Sequence, residues 1–344
     1  MHRKLTISAA LLAFSIVSLM WWYSSTTMNE ETETTGLPMT VARGYWPGTF
    51  WIEIADQKGW FEEAGLDVKL FDTHPDYWGS LKAMVDGEID NNNFTLFDLI
   101  QFNISGSDIV MVNISDNSMG VDAIVASPEV ASITDLKGKA IGVDQGTYLE
   151  YILDVVLKRH GVSASDVIKV NVSGEEAASE FAKGKLDAIV TWEPIASQAI
   201  ESRQGHKLFD TSEIPGISPS GLSFHRSFIN ERYADVQAFI NVWHKTTQFI
   251  FDHPIEAYSI IANIYGVPLE DVQAFAQLNH IVDLRGNVTS FSYGAGFQSL
   301  HGTARQINKF LIEQNVTQSQ VDSMTFIDAR FIRTVQHSSQ QVSQ

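Results

Sequence analysis

Six short stretches of this sequence gather hydroxyl, amide and aromatic side chains beside glycine or proline, and none of them pairs a nucleophile with a base. In Gly44-Tyr45-Trp46-Pro47-Gly48-Thr49, Tyr45 and Trp46 offer ring faces, the glycines allow close backbone approach, and Thr49 suits the cap of a following helix. Asn93 and Thr95, in Asn92-Asn93-Phe94-Thr95, add an amide and a hydroxyl, and Ser118 stands in the polar run Asp116 to Gly120. Gln145-Gly146-Thr147-Tyr148 reads as a strand end followed by a helix start, where backbone N–H groups bind sulfonate, carboxylate or nitrate without a full positive charge. Trp192 and Glu193 repeat that pattern before Pro194, with Glu193 placed to meet an amine or ring N–H. Ser220 precedes Gly221, a candidate hinge. Each stretch also has a plain structural reading, as a packed loop aromatic, a helix cap or a turn. The chemistry on offer is recognition of a small solute.

The rest of the sequence narrows the field. With no cysteine there is no thiolate metal site, disulfide or cysteine nucleophile. The motifs HExxH, GxxxxGK[ST], GxSxG and GxGxxG are absent and the 10 histidines are scattered, so no catalytic residue, metal or cofactor is expected. Lys and Arg number 23 against 41 Asp and Glu, and the resulting charge of −18 repels nucleic acid and anionic bilayers.

The elements that must carry these stretches alternate strand and helix. Strands are expected at 39–43, 66–71, 89–94, 109–114, 121–126, 140–143, 167–172 and 186–191. Helices are expected at 49–64, 78–86, 147–160 and 175–183, several closed by a glycine. Long amphipathic helices follow at 234–252, 254–265, 269–279 and 296–313. This order predicts an α/β chain of two lobes with ligand where loops converge at the strand ends. The expected division is 38–126 with 221–336 as the first lobe, 127–220 as the second, and 337–344 as a flexible tail. Before the body, a basic start at His2-Arg3-Lys4, an apolar run from Leu5 to Tyr23 and an acidic Ser/Thr-rich linker over 26–37 stand in the order of an export signal. Residues 1–25 suit either a cleaved signal peptide or a retained membrane anchor.

Three segments together resemble one known family. Gly59-Trp60-Phe61-Glu62-Glu63-Ala64-Gly65-Leu66-Asp67-Val68, Asp135-Leu136-Lys137-Gly138-Lys139-Ala140-Ile141-Gly142-Val143 and Gly184-Lys185-Leu186-Asp187-Ala188 are similar to segments of periplasmic substrate-binding proteins of the nitrate/sulfonate/taurine type. The resemblance covers about residues 39–260. It implies a type II periplasmic-binding-protein fold, two α/β lobes with a central cleft and two crossover strands, in a monomer that hands a solute to an ABC permease. It implies a periplasmic location, either free or tethered through residues 5–23. A sulfonate or taurine-like solute ranks first and a pyrimidine, such as a thiamine precursor, second. Related domains serve as sensors for a signalling partner, and the fold also resembles pyrimidine synthases. Those enzymes need a lysine and a histidine near the first loops, and Tyr45 to Trp51 contains neither.

Overall fold

The computed structural model describes residues 33–73 and 76–342, so the expected export signal lies outside the described residues. Its strands are β1 (Pro38–Arg43), β2 (Asp67–Asp72), β3 (Asn91–Thr95), β4 (Ile109–Ser118), β5 (Asp122–Ala126), β6 (Ala140–Val143), β7 (Ile168–Asn171), β8 (Ala188–Trp192), β9 (His206–Asp210), β10 (Pro219–His225) and β11 (Asn279–Ile281). They form two sheets, one of order β11-β4-β10-β3-β1-β2 and one of order β7-β6-β8-β5-β9. In each sheet the strands joined by crossover helices run parallel, as β1 does with β2 and β3, and β6 with β7 and β8. The strands that enter from the other lobe, β10 and β5, pair antiparallel on both sides.

The chain crosses between sheets after Ser118 and again after Asp210. The two crossings are tied together, with the Ser118 and Thr211 hydroxyl oxygens 2.6 Å apart and the Gly120 N–H donating to Thr211 Oγ1 at 3.0 Å. These crossings correct the expected division of the chain. β5 belongs to the second sheet rather than to the first lobe, so the lobes part near Gly120 and not after Ala126. Gly221 is no hinge, because it lies inside β10 and pairs with Phe94 and Ile114. An apolar run buried on both faces, as Asp122–Ala126 is, has no hydropathy signature of which sheet it joins.

Other boundaries also move. The helix expected over 49–64 breaks at Gly59, whose φ of 69° is open to glycine, giving helices Phe50–Gln57 and Trp60–Glu63. β9, β11 and the helices Leu284–Ser290 and Arg330–Val342 were not expected. The last of these enters the segment expected to be a flexible tail and reaches Val342, because Phe331, Ile332 and Val335 anchor it to the core. The expected linker engages the body before residue 38, where the Thr35 N–H and hydroxyl donate to the two Asp235 carboxylate oxygens at 2.7 and 2.5 Å.

One large apolar cluster reaches from Met39 and Phe50 in the first lobe to Ile124, Val143 and Tyr151 in the second. Tyr151 bridges the lobes, its ring 5.9 Å from Phe97 and 5.7 Å from Phe310. Buried aromatic pairs of this kind add about 0.5–1.5 kcal/mol each beyond the area they remove from water. Among the described residues no helix is long and apolar enough to cross a membrane.

Candidate functional site

Strand register sets the site. β10 lies between β3 and β4, with Ser220 opposite Thr95 on one side and opposite Asp116 on the other, so these residues form a row across the sheet. β11 then adds Asn279 beside Ser118. The loop after β1 lies over this row. Trp46 Nε1 donates to Asp116 Oδ2 at 3.2 Å, and a Cβ on Gly48 would come within 1.8 Å of Asp116 Oδ1, so only glycine lets the backbone approach this closely. Tyr45 packs against Phe50, Tyr265 and Phe275, and Trp46 meets Phe275 edge-on at 5.6 Å, which makes an aromatic wall.

Asp116 is 1% exposed and is held by uncharged donors: Trp46, Asn279 Nδ2 at 2.7 Å, Ser115 Oγ at 2.6 Å and Asn93 Nδ2 at 3.5 Å. Burial pushes its carboxyl above the ordinary range, and those donors oppose the rise. Asp98, in the first turn of helix Leu96–Ile104, accepts from the Tyr77 hydroxyl and Thr95 Oγ1, both at 2.6 Å, and burial again raises it. Asp122 opens β5 just past the first crossing. Burial pushes it up to about 6, against hydrogen bonds from Ser118 and Tyr148 and with the nearby Asp116 adding to the rise. Tyr148, from the second lobe, thus stands between Asp122 and Asp98, and burial with both negative neighbours lifts its phenol well above its usual value. Among the described residues no lysine, arginine or histidine forms an ion pair with Asp98, Asp116 or Asp122.

The structure thus draws together Tyr45, Trp46, Asn93, Thr95, Ser118, Tyr148 and Ser220. It departs from several expectations. Thr49 does not cap its helix, since its hydroxyl closes the loop by donating to the Gly44 and Trp46 carbonyls. Gln145 is exposed and turns toward β7, bonding Asn171 and Lys169. The Gly146 N–H, expected to bind an anion, donates to Glu150 Oε2 at 2.7 Å, while Thr147 Oγ1 caps Leu149 N–H. Glu193 does not face the cleft as a free carboxylate, because Lys207 Nζ lies 2.9 Å from Oε1 and the Ser197 N–H donates to Oε2. Trp192 packs over Gly174, whose Cβ would fall 2.6 Å from the ring. Sequence reasoning missed Asp98, Asp122, Tyr77 and Asn279. Asp98 sits one helical turn and Asp122 one crossing away from stretches that drew notice, Tyr77 opens a separate helix, and Asn279, expected as the end of a helix, begins β11 instead.

The lobes also meet at the rim, where Gln101 Nε2 donates to the Gly146 carbonyl at 2.7 Å. Hollows of about 450 Å³, lined by Asp56, Glu62 and Val68, and about 370 Å³, lined by Asn117, Pro219 and Arg285, share no residue with this polar cluster. The cluster is where loops of both lobes converge, which is the usual place for a ligand in such sheets.

Comparison with known proteins agrees with this architecture. A Bacillus subtilis protein named for binding aliphatic sulfonates is 28% identical over 221 residues, a match that covers 61% of this chain and 65% of that protein. The periplasmic aliphatic sulphonate binding protein SsuA of Escherichia coli superposes with a TM-score of 0.67 at 16% identity, over 84% of this chain and 97% of that one. The desulfurization enzyme DSZB has the same fold, with a TM-score of 0.60 at 16% identity over 88% and 99% of the two chains. The profile of the NMT1/THI5-like family matches residues 47–257. Two α/β lobes joined by two crossings, together with that match, show that the chain belongs to the NMT1/THI5-like family and has the periplasmic-binding-protein fold.

Proposed function

We propose that this chain is an extracytoplasmic solute-binding protein of an ABC importer, which captures a small sulfonate, taurine-like or related polar organic solute and delivers it to a membrane permease. The observation that carries this reading is the convergence of both lobes on a row of polar hydrogen-bond groups under an aromatic wall, from Trp46 through Asn93, Thr95 and Ser220 to Tyr148. That surface binds and orients, and with no cysteine in the sequence it offers no thiol for covalent chemistry. The reading takes the protein to be a monomer outside the cytoplasm and not an enzyme. A thermal-shift screen of the full chain against sulfonates, taurine, nitrate and pyrimidines tests it. A ligand at 100 times its dissociation constant adds about 2.7 kcal/mol, several degrees of melting temperature, and no shift from any compound overturns it.

A further inference from the structure

Resting on the solute-binding reading, we infer that the solute carries a positively charged nitrogen, which the cleft takes between Asp98, Asp116 and Asp122 and the side-chain oxygen of Asn279. Two independent features point this way. The three aspartates come from helix Leu96–Ile104, β4 and β5, lie at most 3% exposed, and their carboxylates receive only hydroxyl, amide, indole and backbone donors. A buried carboxylate without a cation is costly, and Asp116 and Asp122 repel each other, so a cation entering beside them gains both terms. Asn279 supplies the second feature. It is 6% exposed, its Nδ2 is fixed on Asp116 Oδ2 at 2.7 Å, and its Oδ1, on that same amide, is buried with no donor. Turning the amide would set that oxygen against the carboxylate, so the unfilled position calls for an N–H or O–H donor from outside the chain.

Several of the groups that could have held an anion are already occupied. The Gly146 N–H is taken by Glu150, the Leu149 N–H by Thr147, the Asp98 N–H by Thr95 and the Ser197 N–H by Glu193. A plain alkyl sulfonate would bring a like charge toward the three aspartates, whereas an aminosulfonate brings its ammonium. The ring faces of Tyr45 and Trp46 favour the same sign of charge.

The test compares matched pairs by calorimetry on the full chain: taurine against ethanesulfonate, and β-alanine against propionate. The amine member of at least one pair is expected to bind roughly 10- to 150-fold more tightly, the scale of a charged hydrogen bond. Asp116→Asn and Asp122→Asn should each shrink that ratio, and the wild-type comparison decides the matter even if either variant fails to fold. Equal or tighter binding of ethanesulfonate or propionate overturns this inference and leaves the solute-binding reading intact. Binding by neither member of either pair also overturns this inference, while the solute-binding reading stands or falls by the thermal-shift screen.

Discussion

Away from the cleft, buried carboxylates sit beside cations. Glu53 faces Arg43 at 3.3 Å, Glu150 and Asp154 share Lys169 at 2.8 and 2.6 Å, Asp235 faces Arg232 at 2.6 Å, and Glu193 faces Lys207 at 2.9 Å. In the cleft, Asp98, Asp116 and Asp122 are as deeply buried and have only neutral donors. Removing a carboxylate from water costs several kcal/mol, and a lysine or arginine of the same chain is the ordinary way to offset it. Where the role is to hold elements together the chain supplies that cation, as when Arg232 also binds the Leu37 and Pro38 carbonyls. Where it leaves the cation out, the folded state is less stable than it could be, and the deficit is largest where both lobes meet.

The largest effect expected from this contrast lies on the paired side. Arg232→Met leaves Asp235 fully buried without its cation and should lower stability by about 3–5 kcal/mol in urea unfolding. On the unpaired side the sign reverses. The folded carboxyl of Asp122 is raised from 3.8 to about 6, so below pH 4 it is protonated in both states and adds no penalty. Between pH 4 and 6 the folded state holds the proton that the unfolded state releases, and stability falls as pH rises through that window, by up to about 3 kcal/mol. The groups facing it, Tyr148, Ser118 and Asp116, leave the sign unchanged, since no cation is among them. Asp122→Asn should therefore stabilise the unliganded protein at pH 7 and flatten that slope; an unchanged slope would remove Asp122 from the contrast. The smallest effect is expected at Glu193. Glu193→Gln weakens a bond to the half-exposed Lys207 and should cost about 1 kcal/mol, with the preference for an amine over its des-amino partner unaltered.

The architecture was legible because it rests on period and punctuation. Gly65, Gly87, Gly161 and Gly184 follow helices, adopt positive φ, and mark where each turns back toward a strand. The site was legible only as a neighbourhood. The ends of strands announce themselves by composition, which is why Trp46, Asn93 and Tyr148 drew notice. The direction of a side chain is decided by partners far away in sequence. Glu193 looked available until Lys207 was seen beside it, and Gly146 until Glu150 folded back on its amide. Asn279 became meaningful only through Asp116, a partner that nothing near it in sequence could reveal.

The placement of β10 has a consequence for how the chain is made. The strand that joins β3 to β4, pairing Asn117 with Pro219 and Ile109 with His225, is synthesised only after the whole second lobe. A chain growing from its N terminus can therefore finish the second sheet while the first still lacks its centre. Closing so long a loop is slow, because its entropy is lost before the contacts reward it. The lobe that begins first is completed last, which gives the nascent polypeptide an interval in which it is not yet locked into shape.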